Sequence, residues 1–297
     1  MPHNNHIIDG YNRDVGLMSM EEAKDYYLEM CQGWTPYNPP PEVRVHDGVS
    51  VVRDDLIIGT KTRAGDLLAH KIKNDTLVYC QPRVGLAGVS LCDVAKHHGK
   101  QIILFMPACK EISHHQACCI ERGATPIFRK IAAMPNLNLY AKEHAAEHGH
   151  AFIPLGLKHE YATAGIVYAA SSIPEPDEVY VATSTGVLTR ALQIAWPHAK
   201  FVSVAVARNM KEGELGRADV ISEPLPFARD EKPENLPPFP TVNSYDAKVW
   251  KYIPKDGKIN RLMWNVGGEP ILKNPQIIKE TDSQREWKEI RYARDVF

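Results

Sequence analysis

The sequence lacks the features that mark membrane-spanning, secreted and zinc-stabilised proteins. No run of about 18 apolar residues occurs, which excludes a membrane-spanning helix. Residues 1–16 are polar and contain no apolar core of the kind found in signal peptides. The six cysteines include no Cys-x-x-Cys pair, so a structural zinc site has little support and we expect buried, reduced thiols. Together these absences predict a soluble cytoplasmic protein without a membrane partner.

An excess of charge of either sign is also absent. The chain has 35 basic and 36 acidic residues, so no net field attracts nucleic acid or an anionic membrane. The hydrophobic content of 44% and charged content of 24% are those of an ordinary globular protein. A length of 297 residues suits one large or two small domains.

From Val49 to Val206, short apolar segments alternate with amphipathic segments. This alternation predicts strands and helices of an α/β fold with parallel sheets and right-handed crossovers. In such sheets, ligands bind at the carboxyl ends of the strands, where the strand-to-helix loops meet. The proline-rich region 224–240 interrupts the pattern and predicts an extended connection, after which a helix and a strand return.

The segment 53–63 is the first candidate for chemistry. Gly59 permits a tight turn, Thr60 is suited to cap a helix, and apolar residues at helical spacing follow. We therefore expect Lys61 in the first turn of that helix, where the helix dipole disfavours a structural cation. The same field helps to deprotonate the amine, as a Schiff-base lysine requires. A solvated surface lysine is the alternative.

A loop of small polar residues opens a helix directly after a buried strand; it consists of Thr183, Ser184, Thr185, Gly186 and Val187. Its hydroxyls and free backbone N–H groups predict an anion site, above all for a phosphate. A simple capped helix start is the alternative. The loop is neither a Walker loop nor Gly-x-Gly-x-x-Gly, which argues against a nucleoside triphosphate or a dinucleotide.

Three further segments stand at loop positions. The glycines of Val84-Gly85-Leu86-Ala87-Gly88 allow a ligand to approach the backbone, although a tight turn would explain them equally well. Tyr245 and Asp246 precede a helix, and Asp246 is a natural N-cap. The segment 264–270 is a strand end that runs into a glycine turn.

In order and spacing, these segments resemble the fold type II pyridoxal-phosphate enzymes of the tryptophan-synthase-β family. The nearest branch is that of 1-aminocyclopropane-1-carboxylate deaminase and D-cysteine desulfhydrase. There, a Gly-Asn-Lys-Thr-Arg segment carries the Schiff-base lysine, and Gly59-Thr60-Lys61-Thr62-Arg63 is similar to it. Three further segments resemble the family in the same order. Ser184-Thr185-Gly186-Val187 is similar to its phosphate loop. Tyr245-Asp246-Ala247-Lys248 is similar to its Tyr-Glu-Gly-Lys segment, and Asn265-Val266-Gly267-Gly268 to its His-Thr-Gly-Gly end.

The resemblance implies two three-layer α/β domains with parallel sheets and pyridoxal 5'-phosphate in the cleft between them. We expect a discontinuous larger domain of residues 1–65 plus 151–297 and a smaller domain of residues 66–150. The family also implies a homodimer.

Roles for individual residues follow from the same resemblance. Lys61 would bind the cofactor as a Schiff base and then move protons at the substrate α-carbon. Residues 183–187 would hold the phosphate, and Asp246 would keep the pyridine nitrogen protonated, which makes the ring a stronger electron sink. Val266 would also contact the cofactor, and Tyr245 would stack on it or act as an acid or base.

The chain departs from the family at the loop that holds the substrate carboxylate. The family presents serine and asparagine there, whereas this chain has Gly85, Leu86, Ala87 and Gly88. Either the carboxylate of an unusual substrate is held elsewhere, for example by Arg83, or it lies in an apolar pocket beside Leu86 and Ala87, where desolvation favours its loss as carbon dioxide. The sequence therefore predicts a lyase or deaminase acting on an amino acid or related amine, with a decarboxylase as the alternative.

Other interpretations stay open. The chain also resembles phage-encoded members of the family, which would place it in the host cytoplasm and make an amino-acid group on a DNA base a candidate substrate. A non-catalytic relative that retains the fold as a binding protein is a second class, and a nucleotide-binding α/β protein is a third. The segment 144–148 matches the His-x-x-Glu-His pattern of inverted zincins. Its helix is typical of a solvated face and no third ligand is evident, so we predict no metal.

Overall fold

The computed structural model describes residues 18–130, 133–211 and 213–284, and these residues form two compact units. The first unit contains the described residues up to Lys71 together with Lys158–Glu269, and the second contains Ile72–Leu157 together with the described residues from Pro270 onward. The predicted α/β class with parallel sheets is confirmed.

The unit boundaries differ from those expected at 65/66 and 150/151. The larger difference is at the C-terminal end, because residues after Pro270 cluster with the smaller unit rather than with the larger one. Hydrogen bonds explain this placement: the backbone N–H groups of Lys273 and Asn274 donate to the carboxylate of Glu121, at 3.1 and 2.6 Å. Local sequence patterns do not indicate that the residues after Pro270 pack with the smaller unit.

In chain order the elements of the first unit are α1 (Met20–Met30), β1 (Val43–His46), β2 (Val49–Arg53), a 3-10 turn (Asp54–Leu56), α2 (Thr60–Lys71), α6 (Glu160–Ser171), β7 (Glu178–Thr183), α7 (Val187–Ala195), β8 (Lys200–Ala205), β9 (Asp219–Ser222), a 3-10 turn (Pro233–Asn235), α8 (Ala247–Trp250) and β10 (Arg261–Asn265). Its strands form a six-stranded sheet with the order β1–β2–β10–β7–β8–β9. Strand β1 is antiparallel to β2, and the other pairs are parallel.

The two edge strands β1 and β9 fall in regions that the sequence pattern left irregular. Their residues are mostly exposed, whereas β2, β7, β8 and β10 are almost entirely buried. Buried central strands read as apolar runs, but exposed edge strands carry no such signal.

Helix α2 is held against α6 by very close packing. A Cβ atom added to Gly165 of α6 would lie 2.6 Å from the carbonyl oxygen of Arg63 in α2. Only glycine allows this approach of the two backbones. Helix α6 also packs against α1 and α7, so the helix that carries Lys61 belongs to a four-helix layer.

The second unit has a four-stranded parallel sheet with the order β5–β4–β3–β6. Helix α5 packs on β3 and β4 through Leu137, Ala141 and Ala145. In chain order its elements are β3 (Thr76–Cys80), α3 (Ala87–His97), β4 (Gln101–Pro107), α4 (His114–Glu121), β5 (Thr125–Arg129), α5 (Met134–His148), β6 (Ala151–Phe152) and α9 (Gln276–Gln284).

The histidines of the inverted-zincin match lie on α5. The rings of His144 and His148 stack with centroids 4.1 Å apart. Within the described residues, no group of three or more His, Cys, Asp or Glu side chains is arranged to hold a metal ion. Nor does this part of the chain contain a helix that is long and apolar enough to cross a bilayer.

Candidate active site

Lys61 is the second residue of α2, in the first helical turn, where the sequence predicted it. The chain leaves strand β2, passes through the 3-10 turn and reaches Gly59, whose φ angle of 139° lies in the region that favours glycine. The hydroxyl of Thr62 donates to the Gly59 carbonyl oxygen at 2.6 Å. Lys61 therefore sits on a turn with a defined conformation.

A fully buried carboxylate, that of Asp54, holds the start of this helix. It accepts hydrogen bonds from the Thr60 hydroxyl at 2.7 Å and from Nε of Arg63 at 2.9 Å. The indole N–H of Trp264, from β10, reaches both the Asp54 carboxylate, at 3.1 Å, and the Thr60 hydroxyl, at 2.8 Å. Thr60 was expected to cap α2, but it is the first residue of the helix, and its hydroxyl accepts from Trp264 and donates to Asp54.

The neighbouring carboxylate, Asp55, ties the same turn to the end of β10. It forms a bidentate ion pair with Arg53, with both distances 2.7 Å, and accepts from Nδ2 of Asn265 at 2.9 Å. Bidentate arginine–carboxylate pairs combine strength with defined geometry. The two adjacent acids thus connect the Lys61 turn with two strands of the sheet.

The amine of Lys61 lies in an environment that disfavours its charge. Desolvation by burial, and to a smaller extent the positive charge of Arg190, lowers the pKa of Lys61 from 10.5 to about 8. A large fraction of this amine is therefore unprotonated at slightly alkaline pH, which is the form that attacks carbonyl carbon.

The loop 183–187 precedes α7, and Gly186 is the N-cap of that helix with a φ angle of 77°. No described side chain caps the start of this helix. This φ angle favours glycine, and a Cβ atom here would also require the side-chain ends of Leu215, 2.7 Å away, and Arg190, 2.8 Å away, to shift. Thr183 is 2% exposed, and its Oγ1 has no hydrogen-bond partner among the described residues. An oxyanion at this helix start would supply the partner that the hydroxyl and the first amides lack.

Two further cations of the first unit, Arg190 and Lys158, were not predicted from the sequence as site residues. Nη2 of Arg190 donates to the Thr185 carbonyl oxygen at 3.3 Å. Burial, together with the charges of Arg190 and Arg208, lowers the pKa of Lys158. The position of Arg190, one helical turn after Gly186, was the available signal, since residues four apart lie on the same face of a helix.

Asp246 is fully buried and only partly satisfied. Its Oδ2 accepts from the backbone N–H of Val266 at 3.0 Å, but its Oδ1 has no hydrogen-bond partner among the described residues. Burial raises the pKa of Asp246 well above its usual range; hydrogen bonds from the backbone of Val266 and Gly267 oppose this shift, and the charges of Asp54 and Asp55 add to it. Asp246 occupies the N-cap position of α8, as expected, yet its side chain makes no capping bond.

Val266 connects Asp246 to the Lys61 turn. Its N–H donates to Asp246, and its carbonyl oxygen accepts from the Thr60 N–H at 2.8 Å. The first unit therefore brings Lys61, Arg190 and the loop 183–187 into one electrostatic neighbourhood, and joins Asp246 to the same helix start through one residue.

Tyr245 is partly buried and contacts Phe227 edge-on, with ring centroids 6.2 Å apart. Burial, and secondarily the charge of Asp246, raises the pKa of Tyr245. The phenol is therefore protonated at neutral pH, so it can donate a hydrogen bond or a proton but is not a resting base.

The remaining predicted site residues belong to the second unit. In the loop Gly85–Gly88, the N–H of Gly88 donates to Oε1 of Gln81 at 2.8 Å, and Nε2 of Gln81 donates to the Gly85 carbonyl oxygen at 2.9 Å. No local sequence pattern indicated these hydrogen bonds from Gln81 to the loop, because Gln81 lies at a strand end. Arg83 is exposed, and its Nη1 donates to the Glu111 carbonyl oxygen at 3.1 Å.

No protein-family model matches this sequence, and no curated protein matches it significantly. The fold, in contrast, is that of the fold type II pyridoxal-phosphate enzymes, as the sequence predicted. A structure of an ACC deaminase homologue superposes with a TM-score of 0.64 at 18% identity, over 82% of this chain and 95% of that one. A threonine deaminase from T.th. gives a TM-score of 0.60 at 15% identity, over 84% of this chain and 98% of that one. A pyridoxal 5'-phosphate-dependent aspartate racemase gives a TM-score of 0.59 at 12% identity, over 83% of this chain and 94% of that one.

The Asp54 network gives a first testable prediction. Replacing Asp54 by Asn keeps an acceptor for Thr60 but leaves the Arg63 charge without its buried partner. We expect the free energy of unfolding to fall by about 3–5 kcal/mol, measured by urea denaturation. The control is Glu42→Gln, which breaks the half-exposed pair with Arg44 and should cost at most about 1 kcal/mol. Equal effects of the two substitutions would contradict a central role for Asp54.

The lowered pKa of Lys61 gives a second testable prediction. Acylation by a limiting amount of acetic anhydride, followed peptide by peptide with mass spectrometry, should reach half its maximal rate at about pH 8 for Lys61. Ordinary lysine side chains, with a pKa of about 10.4, should still gain reactivity above that pH. In Arg190→Gln the Lys61 midpoint should move upward, because a positive charge is lost. A Lys61 profile like that of the other lysines would refute the assignment.

Proposed function

We propose that this chain is a pyridoxal-phosphate-dependent enzyme that acts at the α-carbon of an amino acid or related amine. The observation that carries the proposal is Lys61, whose pKa is lowered to about 8, at a helix start beside Arg190 and the anion-type loop 183–187. The fold, shared with enzymes whose names specify deaminase and racemase reactions, supports the same conclusion.

The residues of the first unit fit the three reactive parts of the cofactor. The aldehyde requires an unprotonated amine, which Lys61 supplies. The phosphate requires N–H groups, hydroxyls and positive charge, which residues 183–187 and Arg190 supply. The pyridine nitrogen requires an acceptor, and the unpartnered Oδ1 of Asp246 is suited to that role. A positive N–H partner would also favour the ionised form of Asp246, which burial and the charges of Asp54 and Asp55 disfavour.

When bound, pyridoxal phosphate withdraws electrons from the substrate α-carbon and so weakens the bonds to it. The chain contributes orientation and proton transfer. Lys61, with its pKa near 8, is able both to accept and to return a proton at the α-carbon. Asp246 would hold a proton on the pyridine nitrogen, and Tyr245, which is protonated at neutral pH, would donate to a departing group. Asp54 fixes the turn from which Lys61 extends.

Deamination or elimination is the reaction that we propose first. It is the reaction named for one similar structure, threonine deaminase, and a second similar structure is a homologue of ACC deaminase. Cleavage of a bond to the α-carbon and loss of ammonia require the groups described above and no additional cofactor. The homodimer expected from the family remains a prediction.

Decarboxylation is the second candidate, and the loop 85–88 favours it. In the family that the chain resembles, the corresponding loop holds the substrate carboxylate through hydroxyl and amide side chains. Here the loop has neither, and the N–H of Gly88 is already donated to Gln81. A carboxylate that is poorly solvated and weakly held departs more readily as carbon dioxide.

Cofactor binding provides the first test. The purified chain incubated with pyridoxal phosphate should develop an absorption band near the visible edge, and borohydride should bleach it. Peptide mass spectrometry should then locate the fixed pyridoxyl group on Lys61. The Lys61→Ala chain should lack the band, whereas Lys71→Ala, at the far end of the same helix, should retain it. A colourless parent chain, or a label on other lysines alone, would sink the proposal.

Product analysis decides the reaction. The loaded enzyme is incubated with a panel of amino acids and amines, and ammonia and carbon dioxide are both measured. We expect ammonia release that falls by about 10²-fold in Asp246→Ala, because the charge that stabilises the electron sink is lost. Carbon dioxide without ammonia would select the decarboxylase. A chain that binds the cofactor but releases neither product would support the non-catalytic alternative.

A further inference from the structure

The first unit contains a cavity of about 460 Å³ that lies apart from the candidate active site. It is lined by the end of α1, the proline-rich segment 34–41, and helices α2 and α6. Neither Lys61, nor any residue of the loop 183–187, nor Asp246 lines it. A volume of this size is within the range of small-molecule sites, about 300–1,000 Å³.

Most of the cavity wall is apolar and aromatic. Leu28 and Ala169 contribute aliphatic surface, and four prolines between positions 36 and 41 form one side. Trp34 and Tyr168 meet edge to face with ring centroids 5.4 Å apart. Such walls suit an aliphatic or aromatic group of a ligand.

Two hydrogen-bond donors of the lining residues have no partner among the described residues. One is the indole N–H of Trp34, a side chain that is 7% exposed, and the other is Nδ2 of Asn38. A buried donor without an acceptor costs free energy, so native structures seldom leave one unpaired. The oxygens of a ligand carboxylate are suitable acceptors for these donors.

The cavity wall also carries an acidic side chain. Asp66, on the turn of α2 that follows Arg63, accepts from the backbone N–H of Tyr37 at 3.1 Å. A carboxylate offers about four acceptor positions, so Asp66 can receive an ammonium group in addition to its protein partners. Arg63 lines the cavity as well, and its guanidinium is paired with Asp54, 2.8 Å away.

We propose that this cavity is a binding site for a small apolar α-amino acid. The ligand ammonium is bound by Asp66, the ligand carboxylate by the N–H donors of Trp34 and Asn38, and its side chain by the aromatic and proline surface. The site lies on the helix that carries Lys61, and Arg63 connects the cavity to the carboxylate that holds Thr60. Its occupant therefore contacts the same structural support as the candidate active site.

Isothermal titration of the full chain with L-phenylalanine tests this proposal. Two analogues serve as comparisons: phenethylamine lacks the carboxylate, and 3-phenylpropionate lacks the ammonium group. We expect saturable binding of phenylalanine and binding of each analogue that is weaker by about tenfold or more, because each loses a charge-assisted hydrogen bond. No binding of phenylalanine, or equal binding of all three compounds, overturns the proposal.

Variants locate the site. Ala169→Leu fills the cavity, Ser171→Trp blocks it from an exposed position at the end of α6, and both should abolish binding. Trp34→Phe removes the indole N–H while keeping an aromatic ring, and it should weaken binding about tenfold. Ala146→Leu, at an exposed position on α5, is the matched control and should bind as the parent does.

The outcomes separate this site from the candidate active site. Thermal unfolding checks that each variant is folded, and the exposed Ser171→Trp variant serves if Ala169→Leu is not. Phenylalanine that bound only near Lys61 would be unaffected by either cavity variant, and that result would overturn the proposal. Loss of binding in a folded cavity variant, with binding retained in Lys61→Ala, supports it whether or not the chain binds pyridoxal phosphate.

Discussion

The buried carboxylate of Asp54 is the interaction on which the candidate active site depends. One side chain receives hydrogen bonds from Thr60, Arg63 and Trp264, so a turn, a helix and a distant strand are joined at one point. A buried charge is costly unless it is paired and hydrogen-bonded, and this one is. Lys61 follows Thr60 directly, so the carboxylate of Asp54, in the 3-10 turn before the helix, determines the position of the Lys61 backbone.

The charged and polar groups near the Lys61 turn are arranged to suit an anionic ligand. The charge of Arg190 disfavours that of both Lys61 and Lys158, while the hydroxyl of Thr183 has no partner among the described residues. On the other side of Val266, Asp246 is a buried acid with one oxygen that no described residue satisfies. A ligand with a phosphate at one end and a protonated nitrogen at the other relieves both imbalances, which is the physical argument for the proposed cofactor.

Much of this arrangement was accessible from the sequence, and the reasons are local. The alternation of apolar and amphipathic segments predicted the parallel sheets, and the Gly59–Arg63 segment predicted a lysine in the first turn of a helix. The roles of Thr60 and Asp246 as helix caps were inferred from residue type alone. In the structure, Thr60 donates to Asp54 and Asp246 accepts from Val266, because tertiary partners outcompete local backbone groups.

The sequence by itself determined the class of fold, the order of its elements and the position of Lys61, since these follow from periodicity and turn chemistry. Only the tertiary structure decided what surrounds that lysine. Arg190 and Trp264 are distant from Lys61 along the chain, and their approach results from packing of helices and strands rather than from any local pattern. The same holds for the cavity between α2 and α6, whose walls come from three separate segments. A lowered pKa and an unpartnered donor are properties of such surroundings, so they exist only once the chain has folded.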